Sequence, residues 1–385
     1  MLAIAGGAFV LVHGGGGGSR PASGLSANIR APAPTRATAP ARHLTTVRQQ
    51  AITVGGSPFG VVVTSDGQYS FASLGNAVAV LKNGSGSQAL TRVATIPAPG
   101  AKKSLAITPD GQYLLAAAGS GAYVINVKDA EAGNGNGAVM GKITSGAASL
   151  QSVEVSISPD GRFAFITLQN SGTMAVFDLR KAMAGGFGTS GLRGLMPIGP
   201  APVGIAQSPN GQWLYVTSEV PSGGRLFVIN MHVAETNPMN GTKTSVAVGG
   251  GPARVIVSPD GSVIWVTDRD SNALVALSAA KLLSDPSHSI IARVSVGENP
   301  VGLAFVKDGK EIVVADANLI PIPGDDNLAL IDTQKAESGQ PGALLGYISA
   351  GRTPRELALE PDGKTLLAAD NNSGQLQVID VGSLP

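Results

Sequence analysis

Short apolar runs alternate along most of the chain with breaks rich in Gly, Pro, Asp and Asn, a pattern that predicts strands and tight turns and not long helices. One turn recurs seven times, as TSDGQY, TPDGQY, SPDGRF, SPNGQW, SPDGSV, VKDGKE and EPDGKT. Its third residue is Asp66, Asp110, Asp160, Asn210, Asp260, Asp308 and Asp362, so the steps are 44, 50, 50, 50, 48 and 54 residues. Each turn joins two apolar runs, as in VGIAQSPNGQWLYVTS, and its Asp-Gly or Asn-Gly pair is expected to supply the positive φ of a tight hairpin. A third run follows (AYVINV, RLFVINM, LALIDT), then a fourth, more polar one (RVATIPAPG, ARVSVGENP). Each unit therefore reads as a four-stranded antiparallel sheet.

A unit of about 50 residues does not bury both faces of its sheet alone, so neighbouring sheets must stack. A closed ring leaves no sheet face exposed. Residue size along the unit fits radial stacking: Gly60, Gly204 and Gly302 suit a crowded axis, and Tyr113, Phe163, Tyr215 and Trp265 fill a widening wedge. The last unit ends after its third run, QLQVIDV, whereas LTTVRQQAITVGGSP stands unpaired before the first. The fold class expected is thus all-β: a seven-bladed β-propeller over residues 44–385, closed by an N-terminal strand that completes the last blade and covers two open edges.

The residues before the ring differ in kind. Residues 1–18 begin with the apolar run MLAIAGGAFVLV, shorter than the roughly 20 residues that cross a bilayer, and read as a signal or anchor remnant without a basic n-region. Residues 19–43 are rich in Gly, Ala, Pro, Ser and Arg and read as a flexible tether. Export to the cell envelope or the exterior is expected, with membrane contact only through this N-terminal segment.

Candidate chemistry is located by counting six residues back from each turn Asp or Asn, to Gly60, Ser104, Glu154, Gly204, Arg254, Gly302 and Glu356. Glu154, Arg254 and Glu356 place charge where the repeat favours almost no side chain, which is expected either to form a ligand-binding site at the channel mouth or to be Glu and Arg neutralising one another or projecting into a water-filled channel. Asp268, Asp316 and Asp370 close the second run of three consecutive units and are expected to border that mouth. They are also strong turn formers, and neither a metal nor a cofactor is assigned to them. The loop DANLIPIPGDDN of the sixth unit reads as a lid over the channel or a surface insertion.

Composition narrows the function classes. Lys and Arg number 27 against 26 Asp and Glu, a net charge of +1, with only two Trp, five Tyr and nine Phe for stacking, so no nucleic-acid partner is expected. With zero Cys there is no disulfide framework, thiolate metal site or thiol nucleophile. The histidines, His13, His43, His232 and His288, fall in the tether or in third-to-fourth connections, so a channel hydrolase has no histidine base.

WLYVTS at Trp213–Ser218, preceded by Pro202, Val203 and Gly204 and the turn SPNG, and IWVTD at Ile264–Asp268, resemble the YVTN-repeat family of seven-bladed bacterial propellers. That resemblance implies a propeller and admits three functions. The leading expectation is a non-catalytic, monomeric binding protein for a small ligand, protein or glycan. A lactonase-like hydrolase opening a sugar lactone would rely on Glu154 or Glu356 as base and Arg254 as oxyanion partner. A structural envelope protein is the third.

Overall fold

The computed structural model describes residues 42–84, 90–148, 150–319 and 326–385. The expected signal segment, nearly all of the tether and the tip of the sixth unit's loop lie outside the described residues. Seven sheets, each of four antiparallel strands, make a β-propeller. The inner strands of blades one to seven are Val61–Val63, Ala101–Ile107, Ser152–Ile157, Pro202–Gln207, Pro252–Val257, Pro300–Val306 and Pro354–Leu359. Each packs against the inner strands of both neighbouring blades, blade seven against blade one included, so the ring is closed.

Closure is made as the unpaired N-terminal run predicts. Gln49–Thr53 pairs antiparallel with Gln375–Asp380, Gln49 opposite Ile379 and Thr53 opposite Gln375. Arg48 Nε donates to Asp380 Oδ2 at 2.9 Å just outside that ladder. Arg42 and His43, expected at the end of the tether, already lie against the outer edge of blade six: Tyr347 N donates to Arg42 O at 3.0 Å and Leu44 N to Tyr347 O at 2.7 Å. The core is divided between blades. Leu115 and Val124 of blade two, for example, bury against Ile166, Ala175 and Phe177 of blade three.

The recurring turn differs in mechanism from the tight hairpin expected. Only the glycine has positive φ, as at Gly67 (70°), Gly161 (70°) and Gly261 (76°), while the aspartate before it acts through its side chain. Thr64 Oγ1 donates to Asp66 Oδ1 at 2.6 Å and Gln68 N to the same oxygen at 3.0 Å. The same bracket recurs at Thr108 and Asp110, Ser158 and Asp160, Ser208 and Asn210, and Ser258 and Asp260. An acceptor at that position satisfies backbone donors that a wider connection leaves free, which is why Ser or Thr two residues earlier is part of the motif. Blade six lacks that hydroxyl, and there Lys307 and Asp308 both adopt positive φ.

Blades two to six carry one short helix each after the third strand: Val127–Glu131, Leu179–Ala184, Met231–Thr236, Ala279–Ser284 and Thr333–Glu337. The last strand residue caps each one, as where Asp178 Oδ1 accepts from Lys181 N at 3.0 Å. These helices share the ring face with the Asp-Gly turns. The connections between blades and those between second and third strands share the other face, called the mouth here.

Deleting residues 1–53 removes the closing strand and bares the edge of Gln375–Asp380. The expected outcome is a concentration-dependent rise in apparent mass on size-exclusion chromatography, since an unpaired edge seeks another strand. Elution unchanged from the full chain would show that closure does not depend on this pairing.

Candidate functional site

Six of the seven inner strands carry a register shift, that of blade two falling between Ala101 and Leu105, and the other five share one form of it. The ladder to the second strand shifts between Ser152 and Val155, Pro202 and Ile205, Pro252 and Val255, Pro300 and Leu303, and Pro354 and Leu357. A bulge of this kind turns neighbouring side chains away from strict alternation. Consecutive residues, such as Ala253 with Arg254 and Arg355 with Glu356, consequently both line the channel.

A hydroxyl from the second strand locks the bulge and joins it to the next blade. Thr267 Oγ1 accepts from Arg254 N at 2.9 Å and donates to Val301 O at 2.9 Å. Thr167 and Thr217 do the same for Glu154 with Val203 and for Gly204 with Ala253, and Ser73 for Gly60 with Lys103. The glycines at this level are required by close approach: a Cβ on Gly302 would collide with Arg355 O, and one on Gly204 would lie 2.6 Å from Ala253 O.

Three of the predicted site residues meet on the axis. Arg254 of blade five places Nε 2.9 Å from Glu154 Oε2 of blade three and Nη2 2.8 Å from Glu356 Oε1 of blade seven. Ser104 of blade two donates to Glu154 Oε1 at 3.3 Å. The guanidinium is nearly inaccessible, its side chain 8% exposed, so the charges pair with one another across the bore. Burial pushes the Glu154 carboxyl up to about 8 against the pull of Arg254, and the neighbouring Glu356 adds to the push. Burial opposes the charge on Arg254, but the two carboxylates more than offset this and raise its pKa above the usual value.

The triad separates two cavities. The larger, about 440 Å³, is lined by Ser104, Glu154, Arg254 and Glu356 and, among others, by Val62, Leu105, Ile205, Val257, Leu303 and Phe305. These apolar residues follow the triad level along the inner strands, so the room lies on the turn side of the triad and not at the mouth where the repeat count placed it. The smaller, about 80 Å³, is on the mouth side and takes one residue from every blade: Phe59, Lys103, Val153, Val203, Ala253, Val301 and Arg355. Gln169, Glu219 and Arg269 of the second-to-third connections complete it. This ring sits seven residues before each turn Asp or Asn. Counting back one further residue would have exposed Phe59, Lys103 and Arg355 as departures from small apolar neighbours.

Asp268, Asp316 and Asp370 lie on the mouth face but are fully buried and line neither cavity. Each abuts a glycine of the connection entering its own blade, Gly249, Gly297 and Gly351 respectively. Gly351 N donates to Asp370 Oδ2 at 3.2 Å, and Arg293 Nη1 lies 3.4 Å from Asp268 Oδ2. Burial pushes Asp370 up to about 7 and Asp268 up to about 6 and holds Asp316 well above the carboxylate range. Holding a blade connection accounts for Asp370; Asp268 faces Arg293, and both carboxyl oxygens of Asp316 are buried without a hydrogen-bond partner. Among the described residues no cluster of Asp, Glu or His is arranged to hold a metal ion.

No family model matches the chain, and no curated protein matches it. Among solved structures, one titled Kuenenia stuttgartiensis Hydrazine Synthase superposes with a TM-score of 0.64 at 17% identity, covering 84% of this chain and 95% of that one. At that identity the likeness concerns the fold. Among the described residues no helix is long and apolar enough to cross a membrane.

Glu154 makes stability depend on pH. Its folded pKa lies above the 4.5 of an ordinary glutamate, so the stability it contributes is complete below pH 4.5 and is lost as pH rises toward about 8. Glu154→Gln, which mimics the protonated form, should flatten that decline. In urea unfolding at pH 5 and pH 9 it should gain more than about 1 kcal/mol on the wild type across the interval; parallel behaviour of the two proteins would mean that Glu154 is ionised throughout.

Proposed function

We propose that the chain is an exported, non-catalytic binding propeller that seats a small molecule in the 440 Å³ cavity against the Glu154, Arg254 and Glu356 triad. The observation behind this reading is the pairing of apolar walls with one polar, charged end in a space of ligand size. The walls favour a compact apolar body. The polar end holds two carboxyl groups and a hydroxyl against one guanidinium already shared between the carboxyls, so it favours a donor such as an alcohol or an ammonium and opposes a carboxylate. Export rests on the apolar run of residues 1–12.

Hexanol, hexylamine and hexanoate share a body and differ in the head. The first two are expected to raise the melting temperature saturably and the third not at all. Val257→Trp, which fills the cavity from its wall, should abolish both shifts. Equal response to all three probes, or an unchanged response in Val257→Trp, rules out this seat.

The lactonase-like reading has one observation in its favour: a desolvated Glu154 with a pKa of about 8 is suited to proton transfer near neutrality. Acid release from a panel of sugar lactones at constant pH, lost in Glu154→Gln, would establish it; no release above buffer leaves the binding reading in place.

A further inference from the structure

The mouth-side cavity gathers two cations, Lys103 and Arg355, that feel the nearby carboxylates Glu219 and Glu356 but are in ion-pair contact with neither. Lys103 Nζ lies 4.3 Å from the centroid of the Phe59 ring, the Arg355 guanidinium 5.3 Å and that of Arg254 5.6 Å, so three cations from blades two, seven and five converge on one ring of blade one. Arg254 is already shared by Glu154 and Glu356. Arg269 is bound to Glu219 at 2.5 Å and to Asp270 at 3.0 Å. Glu219, the carboxylate among the lining residues, also accepts from Gln169 Nε2 at 3.1 Å. Lys103 and Arg355 have no ion pair among the described residues, and Arg355 Nε is buried without a hydrogen-bond partner.

Cations are rarely drawn together out of water without an anion, because each loses hydration and repels the other. Contact with an aromatic face returns only about 1 kcal/mol to each. Burial, followed by repulsion from Arg254 and Arg355, lowers Lys103 to about 8 against the weaker pull of Glu219 and Glu356. Arg355 is lowered to about 10, by burial and then by Arg254 and Arg269. The space between them, about 80 Å³, equals roughly two to three waters, the room of one small oxyanion and not of a nucleotide or a sugar.

We infer that Lys103 and Arg355, with Arg254 behind them, form a second binding site, separate from the larger cavity, for a small tetrahedral oxyanion such as inorganic phosphate or sulfate. The Arg355 guanidinium offers planar donors, its buried Nε among them, and Lys103 supplies a compact charge from the other side of Phe59. Glu219 makes its direct contacts to Arg269 and Gln169 and attracts Lys103 and Arg355 only from a distance, which leaves their own donors to the anion.

Calorimetric titration with inorganic phosphate at pH 7, in a low-salt buffer free of phosphate and sulfate, tests the assignment. Saturable binding of one phosphate per chain is expected, weakened about tenfold or more by Lys103→Met and by Arg355→Met, the loss of one charge-assisted contact each. Without phosphate both variants should melt at or above the wild-type temperature, since each removes a repelled charge. Absence of saturable phosphate binding, affinity within twofold of wild type in both variants, or lower melting of both without phosphate would each overturn the site. Neither residue lines the larger cavity, so the responses to hexanol and hexylamine should survive both substitutions, and the two readings stand or fall independently.

Discussion

The structure depends on the pairing of Gln49–Thr53 with Gln375–Asp380. The axis exists only because seven inner strands face one another, and this ladder holds the first and last blades together. Both proposed sites draw on both sides of that seam. Phe59 and Lys103 come from blades one and two, Arg355 and Glu356 from blade seven, and Arg254 reaches them from blade five. An open arc of the same blades would contain every one of these residues and neither site.

Within the closed ring the bulged inner strand does most to place side chains. A regular strand would send neighbouring residues to opposite faces. The bulge lets two consecutive positions face the bore, one forming the level of the triad and the next the level of the cations. The hydroxyls of Ser73, Thr167, Thr217 and Thr267 fasten that geometry by bonding two blades at once. The triad itself is weak support for stability, since a buried ion pair recovers little more than its desolvation cost, whereas loss of one partner leaves a charge stranded. Its effect is to fix which side chains face each other across the axis.

The ring, its seven units and its seam were readable because a turn built on Ser or Thr, Asp and Gly repeats at nearly constant spacing and because one strand stands unpaired at each end. The triad was readable as charge at a position otherwise given to Gly or Ser. The cation cluster needed a second count, seven residues back from each turn, because alternation along a strand assigns Arg355 and Glu356 to opposite faces, and only the bulge brings both to the bore. Asp268, Asp316 and Asp370 were placed at the right end of the right strands, but an aspartate that holds a backbone connection and one that meets a ligand look alike in sequence. The difference lies in Gly249, Gly297 and Gly351, whose missing side chains leave room for the carboxyl groups.

Arg254 gives the ring two chemically distinct sides. A guanidinium gripped from blades three and seven lies between the larger cavity on the turn side and the smaller one on the mouth side. Solutes approaching from the helix-bearing surface meet hydrocarbon backed by carboxyl groups, whereas those approaching from the opposite surface meet cations. Arg254 belongs to both cavities, so an event in one bears on the other through that shared side chain.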